Sequence, residues 1–483
     1  MFVAKLLIDN EALDASDAST FECVDPATGD VATIAPAASV ADAGRAACAA
    51  AAAFPAWSQT GPSERRALLN KAADILAART ADFVGAMIGE TGATALWAGI
   101  NCNLGADMLR EAAAMTTQVA GEIIPSSEPG SLAMAMRQPA GVCLGIAPWN
   151  APIILGVRAI AMPLACGNTV ILKASELCPK IHSLIGDVLR EAGFPPGVVN
   201  VITNAPKDAA AIVEILIAHP AVRRINFTGS TRVGRLIAEA SARHLKRCLL
   251  ELGGKAPFIV LADADIDQAV RAAAFGAFMN QGQICMSTER IILMEEIADE
   301  FVENFKAKAE TLVAGNPRDG NTPLGTMITA EAARRVRVLV EDATQKGAVV
   351  VCGGPARGTQ IDATILDHVT PAMRIYREES FGPLAAIIRV DSLDEAVTVA
   401  NDNQYGLSSA VFSRDINKAL SVARRIETGI CHINEATVAD EPQMPFGGVK
   451  SSGYGRFGGK AAIDEFTELR WITLASGKRE YPI

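Results

Sequence analysis

The stretch that decides the fold is VCLGIAPWN, residues 142–150, an apolar run that ends in a proline-flanked turn. Three more apolar runs follow it, TVILK (169–173), VVNVI (198–202) and RRINF (223–227), and each precedes a segment of helical periodicity. Strands that alternate with helices form parallel βαβ units, so a doubly wound α/β sheet is predicted. Ligands of such sheets bind beyond the carboxyl ends of the strands, which directs attention to the residues after each run.

A second alternating region begins at APFIVLADADID (256–267), continues through a helix that ends near Cys285, and resumes with RIILM, AVVVCGG and LAAIIRV. It predicts a second α/β domain. The first hundred residues are predicted to be helical after a short opening strand. The segments 118–137 and 466–471 are expected to pair as a small sheet.

Composition limits the possible functions. The chain has 483 residues, half of them hydrophobic, which is enough for two domains. Its net charge of -10 argues against nucleic acid or an anionic membrane as a partner. The uncharged segment 138–157 is long enough to span a membrane, but its prolines would interrupt a spanning helix. Ten scattered cysteines and an N-terminus without signal-peptide features predict a cytoplasmic protein.

Cys285, in FMNQGQICMSTER (278–290), is the candidate nucleophile. Most free cysteines are buried and inert, and that interpretation applies to any single one. The polar and flexible residues of NQGQ (280–283), which precede the thiol, are ones that a core cysteine does not need. A thiol also needs a base or a positive potential to act as a nucleophile.

Glu251 is the candidate base, because none of the five histidines lies in a glycine-rich or conspicuously polar segment. In CLLELGGK (248–255) Glu251 closes an apolar strand, where ligands bind, although an ordinary strand-end charge would look the same. Asn150, after the first strand, could donate to an oxyanion. Alternatively, it caps the helix that begins near Pro152.

Two segments could bind a dinucleotide, although no G-x-G-x-x-G follows any of these strands. In KASE (173–176), Lys173 and Glu176 leave a strand, and a carboxylate there can accept from ribose hydroxyls while repelling a 2'-phosphate. In FTGSTRVG (227–234), Gly229 and Ser230 join a strand to a helix, whose N-terminus can bind a phosphate.

Together these segments resemble the aldehyde dehydrogenase superfamily over essentially the whole chain. The resemblance rests on motifs in the order and approximate spacing of that family: APWN (147–150), KASE (173–176), FTGST (227–231), ELGGK (251–255), NQGQIC (280–285), EESFGPL (378–384) and PFGGVKSSGYGR (445–456). Ala174 of KASE stands where the family often has proline.

The resemblance implies a role for each matching residue. Cys285 is the implied nucleophile, Glu251 the general base, and Asn150 the side-chain donor that forms an oxyanion hole with the backbone N–H of Cys285. The implied cofactor is NAD, and no metal is required. Its implied binding residues are Ile146, Pro148, Trp149, Lys173, Ser175, Glu176, Gly229, Ser230, Leu252, Glu379 and Phe381.

The resemblance also implies the domain organisation. Residues 1–117 and 138–252 are expected to form a Rossmann-like NAD-binding domain, and residues 253–445 a catalytic domain. Residues 118–137 and 466–483 are expected to form an oligomerisation arm. Residues 446–465 are a glycine-rich loop that returns to the NAD-binding domain. A homodimer or homotetramer is expected.

The substrate is expected to be an aromatic aldehyde with a hydroxyl or other polar group. Trp97 and Arg158 suit stacking and hydrogen bonding to such a ring, as in the branch of the family that acts on salicylaldehyde, vanillin and other benzaldehydes. The expected lining also includes Ile284, Met286 and Phe446.

Three alternatives remain. Arg158 could turn away and pair with an acidic residue, which would leave an aliphatic aldehyde or semialdehyde as substrate. A CoA-acylating dehydrogenase would pass the acyl group to CoA, although such relatives often lack the base at Glu251. A cysteine esterase would use the thiol without NAD.

Overall fold

The computed structural model describes residues 2–477 and 481–483, so residue 1 and residues 478–480 of the predicted arm lie outside the described residues. The larger sheet has eight strands, and its central strands are the apolar runs singled out in the sequence. The strands in chain order are β1 (Phe2–Val3), β2 (Leu6–Ile8), β3 (Glu11–Leu13), β4 (Thr20–Val24), β5 (Val31–Pro36), β6 (Glu122–Ile124), β7 (Ser131–Pro139), β8 (Val142–Ile146), β9 (Thr169–Lys173), β10 (Val199–Ile202), β11 (Val222–Thr228), β12 (Arg247–Glu251), β13 (Ala256–Val260), β14 (Thr288–Met294), β15 (Val349–Cys352), β16 (Thr364–Asp367), β17 (Leu384–Val390), β18 (Ala410–Phe412), β19 (His432–Ile433), β20 (Gly453–Tyr454) and β21 (Thr467–Ala475).

The helices follow the strands as the alternating pattern predicted. Helix α5 begins with Pro152, which has no backbone N–H to leave unsatisfied at a helix start. The helices are α1 (Val40–Trp57), α2 (Pro62–Ala78), α3 (Thr80–Thr91), α4 (Ala95–Met115), α5 (Pro152–Ala165), α6 (Pro179–Ala192), α7 (Ala209–Ala218), α8 (Thr231–Arg243), α9 (Ile266–Phe278), α10 (Glu295–Ala309), α11 (Ala330–Gln345), α12 (Arg374–Arg377), α13 (Leu393–Asn401), α14 (Ile416–Ala423) and α15 (Gly459–Phe466).

Both main sheets are largely parallel, which confirms the α/β class. The eight-stranded sheet has the order β20-β12-β11-β8-β9-β10-β2-β3, with parallel pairing from β12 through β10. The seven-stranded sheet has the order β15-β16-β17-β14-β13-β18-β19 and is parallel from β16 to β19. In both sheets the central strands are fully buried, as parallel strands covered by helices on both faces must be.

A third sheet joins the two segments expected to pair. Strand β21 runs antiparallel to β7 over its whole length, from Thr467 opposite Pro139 to Ala475 opposite Ser131, and β6 adds a short third strand. The domain boundaries themselves stay a prediction.

Two expectations from the sequence are wrong. Residues 2–36 contain strands β1 to β5 rather than one opening strand, and helices begin only at Val40. The glycine-rich range 446–465 is not all loop, because α15 begins at Gly459 and β20 pairs with β12. Strands of two to six residues and a helix that starts among glycines both lack the periodicity that identifies longer elements.

Candidate active site

Three cavities meet at the carboxyl ends of the parallel strands, and every predicted site residue lines at least one of them. The outer cavity, of about 710 Å³, adjoins the ends of β8, β9 and β11. A middle cavity of about 430 Å³ contains Cys285, Glu251 and Asn150. An inner cavity of about 300 Å³ lies on the other side of Cys285 and Asn150, which line both.

The predicted residues divide among the cavities as follows. The outer cavity is lined by Ile146, Pro148, Trp149, Lys173, Ser175, Glu176, Gly229 and Ser230; the middle cavity also by Leu252, Glu379 and Phe381; and the inner cavity by Trp97, Arg158, Ile284, Met286 and Phe446.

The thiol of Cys285 sits on a constrained turn between α9 and β14. Asn280 and Gln281 have φ angles of 49° and 55°, in the left-handed region that non-glycine residues rarely adopt. Their side chains stabilise the turn, because the Asn280 amide donates to the carbonyl of Asn150 at 3.0 Å and the Gln281 amide donates to that of Thr326 at 2.9 Å. The polar residues before Cys285 therefore hold its backbone in place.

The second of the two glycines after Glu251, Gly254, allows two loops of the site to approach each other closely. A Cβ atom at Gly254 would lie 2.2 Å from the carbonyl oxygen of Cys285, so only glycine permits this approach of the two loops. The close approach brings the carboxylate of Glu251 and the thiol of Cys285 to the same cavity.

The ionisation of this pair is strongly shifted. Burial and the Glu251 carboxylate raise the pKa of the Cys285 thiol well above its usual range, and the Arg158 guanidinium acts in the opposite direction. Burial raises the pKa of Glu251 to about 7, although the Cys285 thiol and Arg158 partly offset that effect. Within the described chain neither oxygen of Glu251 accepts a hydrogen bond that meets ordinary geometric limits. A carboxyl group with this pKa can take up and release a proton near neutral pH.

Asn150 does not cap α5, whose N-cap is Ala151 with no side-chain hydrogen bond. Instead, its side-chain amide donates to the backbone carbonyl of Gln283 at 3.0 Å. Its own carbonyl accepts from the Trp97 indole N–H at 3.0 Å. The amide is thereby held beside the thiol, with a second N–H available to an oxyanion.

The outer cavity fits a dinucleotide. Ser230 is the N-cap of α8, so the free N–H groups of that helix lie at the cavity wall. The Lys173 ammonium lies 3.3 Å from the Glu176 carboxylate, and both line the cavity. The spacing G-x-G-x-x-G occurs in the chain at residues 453–458, but among the described residues none of these lines the outer or middle cavity.

Phe381 is positioned by Glu289, a residue that was not predicted from the sequence. The carboxylate of Glu289 accepts from the backbone N–H groups of Ser380 and Phe381 at 2.9 and 3.2 Å. It also accepts from the ammonium of Lys255 at 2.5 Å. Phe381 has a φ of 45°, a strained conformation that these bonds maintain. The signal that could have revealed Glu289 is a charged residue inside the buried strand that follows Cys285.

Glu379 completes the middle cavity. Its carboxylate accepts from the backbone N–H of Gly254 at 2.9 Å. Burial and the neighbouring Glu289 carboxylate raise the pKa of Glu379 to about 8. The rings of Trp149 and Phe381 meet edge to face at 5.8 Å and form the apolar wall of this cavity.

Arg158 lines the inner cavity and also pairs with an acidic residue. Its guanidinium forms an ion pair with Asp440, and both side chains are almost fully buried. The same guanidinium lies 4.2 Å from the centre of the Phe446 ring. Arg158 therefore pairs with an acidic residue without turning away from the inner cavity, and its contact with a substrate stays a prediction. Asp440 was missed because nothing in the sequence connects it with a residue so distant in the chain.

The described histidines lie outside the two cavities that Cys285 lines. In the part of the chain that the structure describes, none of the five histidines lines the middle or inner cavity. No group of three or more potential metal ligands occurs among the described residues. No described helix is long and apolar enough to cross a membrane.

Comparisons with known proteins agree with this geometry. The sequence profile described as the aldehyde dehydrogenase family matches residues 13–472. A vanillin dehydrogenase of Pseudomonas fluorescens is 60% identical over 483 residues, which cover 100% of both chains. A salicylaldehyde dehydrogenase of Pseudomonas sp. (strain C18) is 53% identical over 99% of both.

A solved structure has the same fold. The crystal structure of a salicylaldehyde dehydrogenase from Pseudomonas putida G7, complexed with salicylaldehyde, superposes with a TM-score of 0.98 at 52% identity and covers 100% of both chains. The profile match and these relatives establish that the chain belongs to the aldehyde dehydrogenase family.

Proposed function

We propose that this enzyme oxidises aromatic aldehydes with a polar ring substituent to carboxylic acids, with NAD as the oxidant and through a thioester on Cys285. The observation that carries the proposal is the position of Cys285 and Asn150, which stand between a dinucleotide-sized cavity and an inner cavity with aromatic walls. Relatives named for vanillin, salicylaldehyde and benzaldehyde support the aromatic assignment.

The first step uses the residues around the thiol. Cys285 adds to the aldehyde carbonyl as its proton passes to Glu251, whose raised pKa suits it to accept one. The resulting alkoxide receives hydrogen bonds from the Asn150 amide and the backbone N–H of Cys285. Each such donor typically contributes about 3 to 4 kcal/mol to the barrier reduction.

The outer and middle cavities, together called the coenzyme cavities, form the binding site for the oxidant. NAD bound there would supply the hydride acceptor, and loss of a hydride from the carbon attached to Cys285 would convert the adduct into a thioester. Glu379 and Phe381 are placed to orient the nicotinamide half, and Lys173, Glu176 and Ser230 the adenosine and phosphate half. Glu251 releases to solvent the proton that it took from the thiol and then deprotonates a water molecule that attacks the thioester. The Cys285 thiolate that leaves takes this second proton back from Glu251, so the thiol is restored and the acid is released.

Glu176 supports NAD over NADP, because a carboxylate repels a 2'-phosphate. Lys207 and Arg243 line the same outer cavity, however, and make NADP the second candidate. Arg243 forms an ion pair with Glu214 at 3.1 Å, which leaves its charge partly neutralised. Initial rates with the two coenzymes at equal concentration decide between them.

An aliphatic aldehyde or semialdehyde is the rival substrate class, since the inner cavity has apolar walls as well as aromatic ones. The test is a panel of salicylaldehyde, vanillin, benzaldehyde and hexanal, followed as NADH absorbance, for the wild type and Arg158→Gln. Glutamine can still hydrogen-bond to Asp440 but lacks the cationic plane. We expect the preference for aromatic substrates over hexanal to fall by about fivefold. An equal loss on all substrates would show that Arg158 does not create the preference, and faster oxidation of hexanal than of any aromatic aldehyde by the wild type would refute the aromatic assignment.

The CoA-acylating dehydrogenase and the cysteine esterase can both be tested with the wild-type enzyme alone. Oxidation in the absence of CoA excludes a CoA-acylating enzyme. Turnover of 4-nitrophenyl acetate at a comparable rate without NAD would favour the esterase.

A homo-oligomer is proposed from the third sheet. Its strands carry large apolar side chains that are mostly exposed in the isolated chain, among them Ile123, Leu469, Trp471 and Leu474. Such a patch is typical of a subunit interface. Light scattering at micromolar concentration distinguishes dimer from tetramer, and a monomer would contradict the proposal. A cytoplasmic location also stays a prediction.

A further inference from the structure

Asp440 occupies a position in the inner cavity that the proposed chemistry does not use. It follows Val438 and Ala439 on the segment between β19 and β20, and it lines the inner cavity together with Arg158 and Phe446. A second, much smaller cavity of about 20 Å³ lies against the same ion pair. Asp440 thus stands at the wall of the aldehyde site rather than on the protein surface.

One carboxylate oxygen of Asp440 accepts a hydrogen bond. Its Oδ2 atom accepts from the Arg158 guanidinium, which is fixed by stacking at 4.2 Å over Phe446 and lies 5.8 Å from the centre of the Phe457 ring. The Asp440 side chain is 10% exposed and that of Arg158 is 6% exposed. The carboxylate therefore has a fixed orientation.

The other oxygen has no partner. Oδ1 of Asp440 is buried and accepts no hydrogen bond from any described residue. A buried acceptor left without a donor is destabilising, typically by about 1 to 3 kcal/mol and by more for a charged group. The walls around it are largely apolar, with Ile154, Leu155 and Val438 among them. Because Asp440 lines both the inner cavity and the 20 Å³ cavity, a donor for Oδ1 would come from a molecule that occupies one of the two.

We infer that Oδ1 of Asp440 accepts a hydrogen bond from a hydroxyl group on the ring of the aldehyde, so that the enzyme selects phenolic aldehydes over their alkyl ethers. The inference rests on the proposed function, since it assigns a substrate class to the same site. Arg158 acts here as the positioning residue for Asp440. A phenol is an O–H donor, whereas a methoxy group, which is larger by one carbon, has no O–H and can only accept a hydrogen bond, as the carboxylate oxygen does.

The specific rival is a water molecule. The 20 Å³ cavity is large enough to hold one, and a water there could donate to Oδ1 without any role for the substrate. In that case Asp440 would only maintain the position of Arg158, and replacing Asp440 would affect hydroxylated and methoxylated substrates equally.

The test compares matched substrates. kcat/KM is measured with the three hydroxybenzaldehyde isomers and the three methoxybenzaldehydes, for the wild type and for Asp440→Asn. Asparagine keeps an oxygen for Arg158 and presents an N–H donor in place of Oδ1. For at least one ring position we expect the hydroxy-to-methoxy ratio of kcat/KM to exceed 1 in the wild type and to fall about tenfold in the variant. An unchanged ratio at every position would overturn the inference.

The control variant is Glu441→Gln, which removes the adjacent negative charge but leaves Oδ1 in place and is expected to keep the wild-type ratio. A second measurement does not depend on any variant: hydroxybenzyl alcohols should inhibit the wild type competitively with a lower inhibition constant than the matching methoxybenzyl alcohols. Equal inhibition constants at every position would also overturn the inference. Failure of the proposed function itself would look different, because the wild type would then oxidise hexanal better than any aromatic aldehyde.

Discussion

The coenzyme cavities and the inner cavity meet at Cys285, but they are built in different ways. The coenzyme side is formed largely by backbone turns and residues that directly follow parallel strands β8, β9, β11 and β12. The inner side is formed by side chains from α4, α5, the turn before β14 and the segment 438–446. Sheet topology brings these strand ends together, although the positions of Glu379 and Phe381 also depend on hydrogen bonds with Gly254 and Glu289. The inner side depends on individual side chains, among them the buried ion pair of Arg158 and Asp440.

The largest expected effect is at Cys285, which both sides share. Cys285→Ala should lower kcat/KM by about 10⁴-fold or more, because no other described thiol lines either cavity. The change is followed as NADH formation with benzaldehyde. Cys431→Ala, which changes an exposed cysteine, should retain wild-type activity. Substantial turnover by Cys285→Ala would show that the reaction does not take place at the thiol where the two sides meet.

Asn150 is also shared and should have the next largest effect. Asn150→Ala removes one oxyanion donor and should lower kcat by about 10²- to 10³-fold with every aldehyde. The KM for NAD should change little, since the residues that hold the adenosine half are untouched. A large rise in that KM with kcat preserved would show instead that Asn150 shapes the coenzyme site.

Glu176 belongs to the coenzyme side alone. Glu176→Gln removes the charge that repels a 2'-phosphate, so the ratio of kcat/KM with NADP to that with NAD should rise by about tenfold. The preference among aldehydes should stay as in the wild type. A change in aldehyde preference would show that the two sides are coupled more closely than their construction suggests.

The smallest effect concerns stability and follows from the raised pKa of Glu251. The folded protein favours the neutral carboxyl up to about pH 7, whereas the unfolded chain ionises near its usual value of 4.5. This group's contribution to stability is therefore present below pH 4.5 and is lost as the pH rises through about 7, by at most about 3 kcal/mol.

Because glutamine does not titrate, Glu251→Gln should melt roughly 2 to 3 °C above the wild type at pH 8 and show little difference at pH 5. Differential scanning calorimetry measures both midpoints. An advantage of equal size at both pH values would mean that the variant acts through packing rather than ionisation.

The same contrast explains what the sequence could predict. Lys173, Glu176 and Ser230 follow strands whose apolar runs are visible in the sequence, so their convergence follows from a parallel sheet. The motifs of the family then assigned Cys285, Glu251 and Asn150 to one site, and the structure brings them to one cavity.

What the sequence could not predict arises from contacts between distant residues. Asp440 pairs with a residue 282 positions away, and Glu289 reaches Ser380 across 91 positions. No local pattern encodes either contact. Of the five strands in residues 2–36 only one was expected, because each has two to six residues and such short segments show no clear alternation.

The central claim, a thioester on Cys285 hydrolysed with the help of Glu251, is tested most directly by trapping it. Glu251→Gln is mixed with benzaldehyde and NAD, quenched with acid, digested, and analysed by peptide mass spectrometry. Because Glu251→Gln also removes the base that takes the thiol proton, the account predicts slow formation of NADH that stops at about one equivalent per site, and a benzoyl group on the peptide that contains Cys285. No benzoyl group on that peptide, or the same adduct formed without NAD, would contradict it.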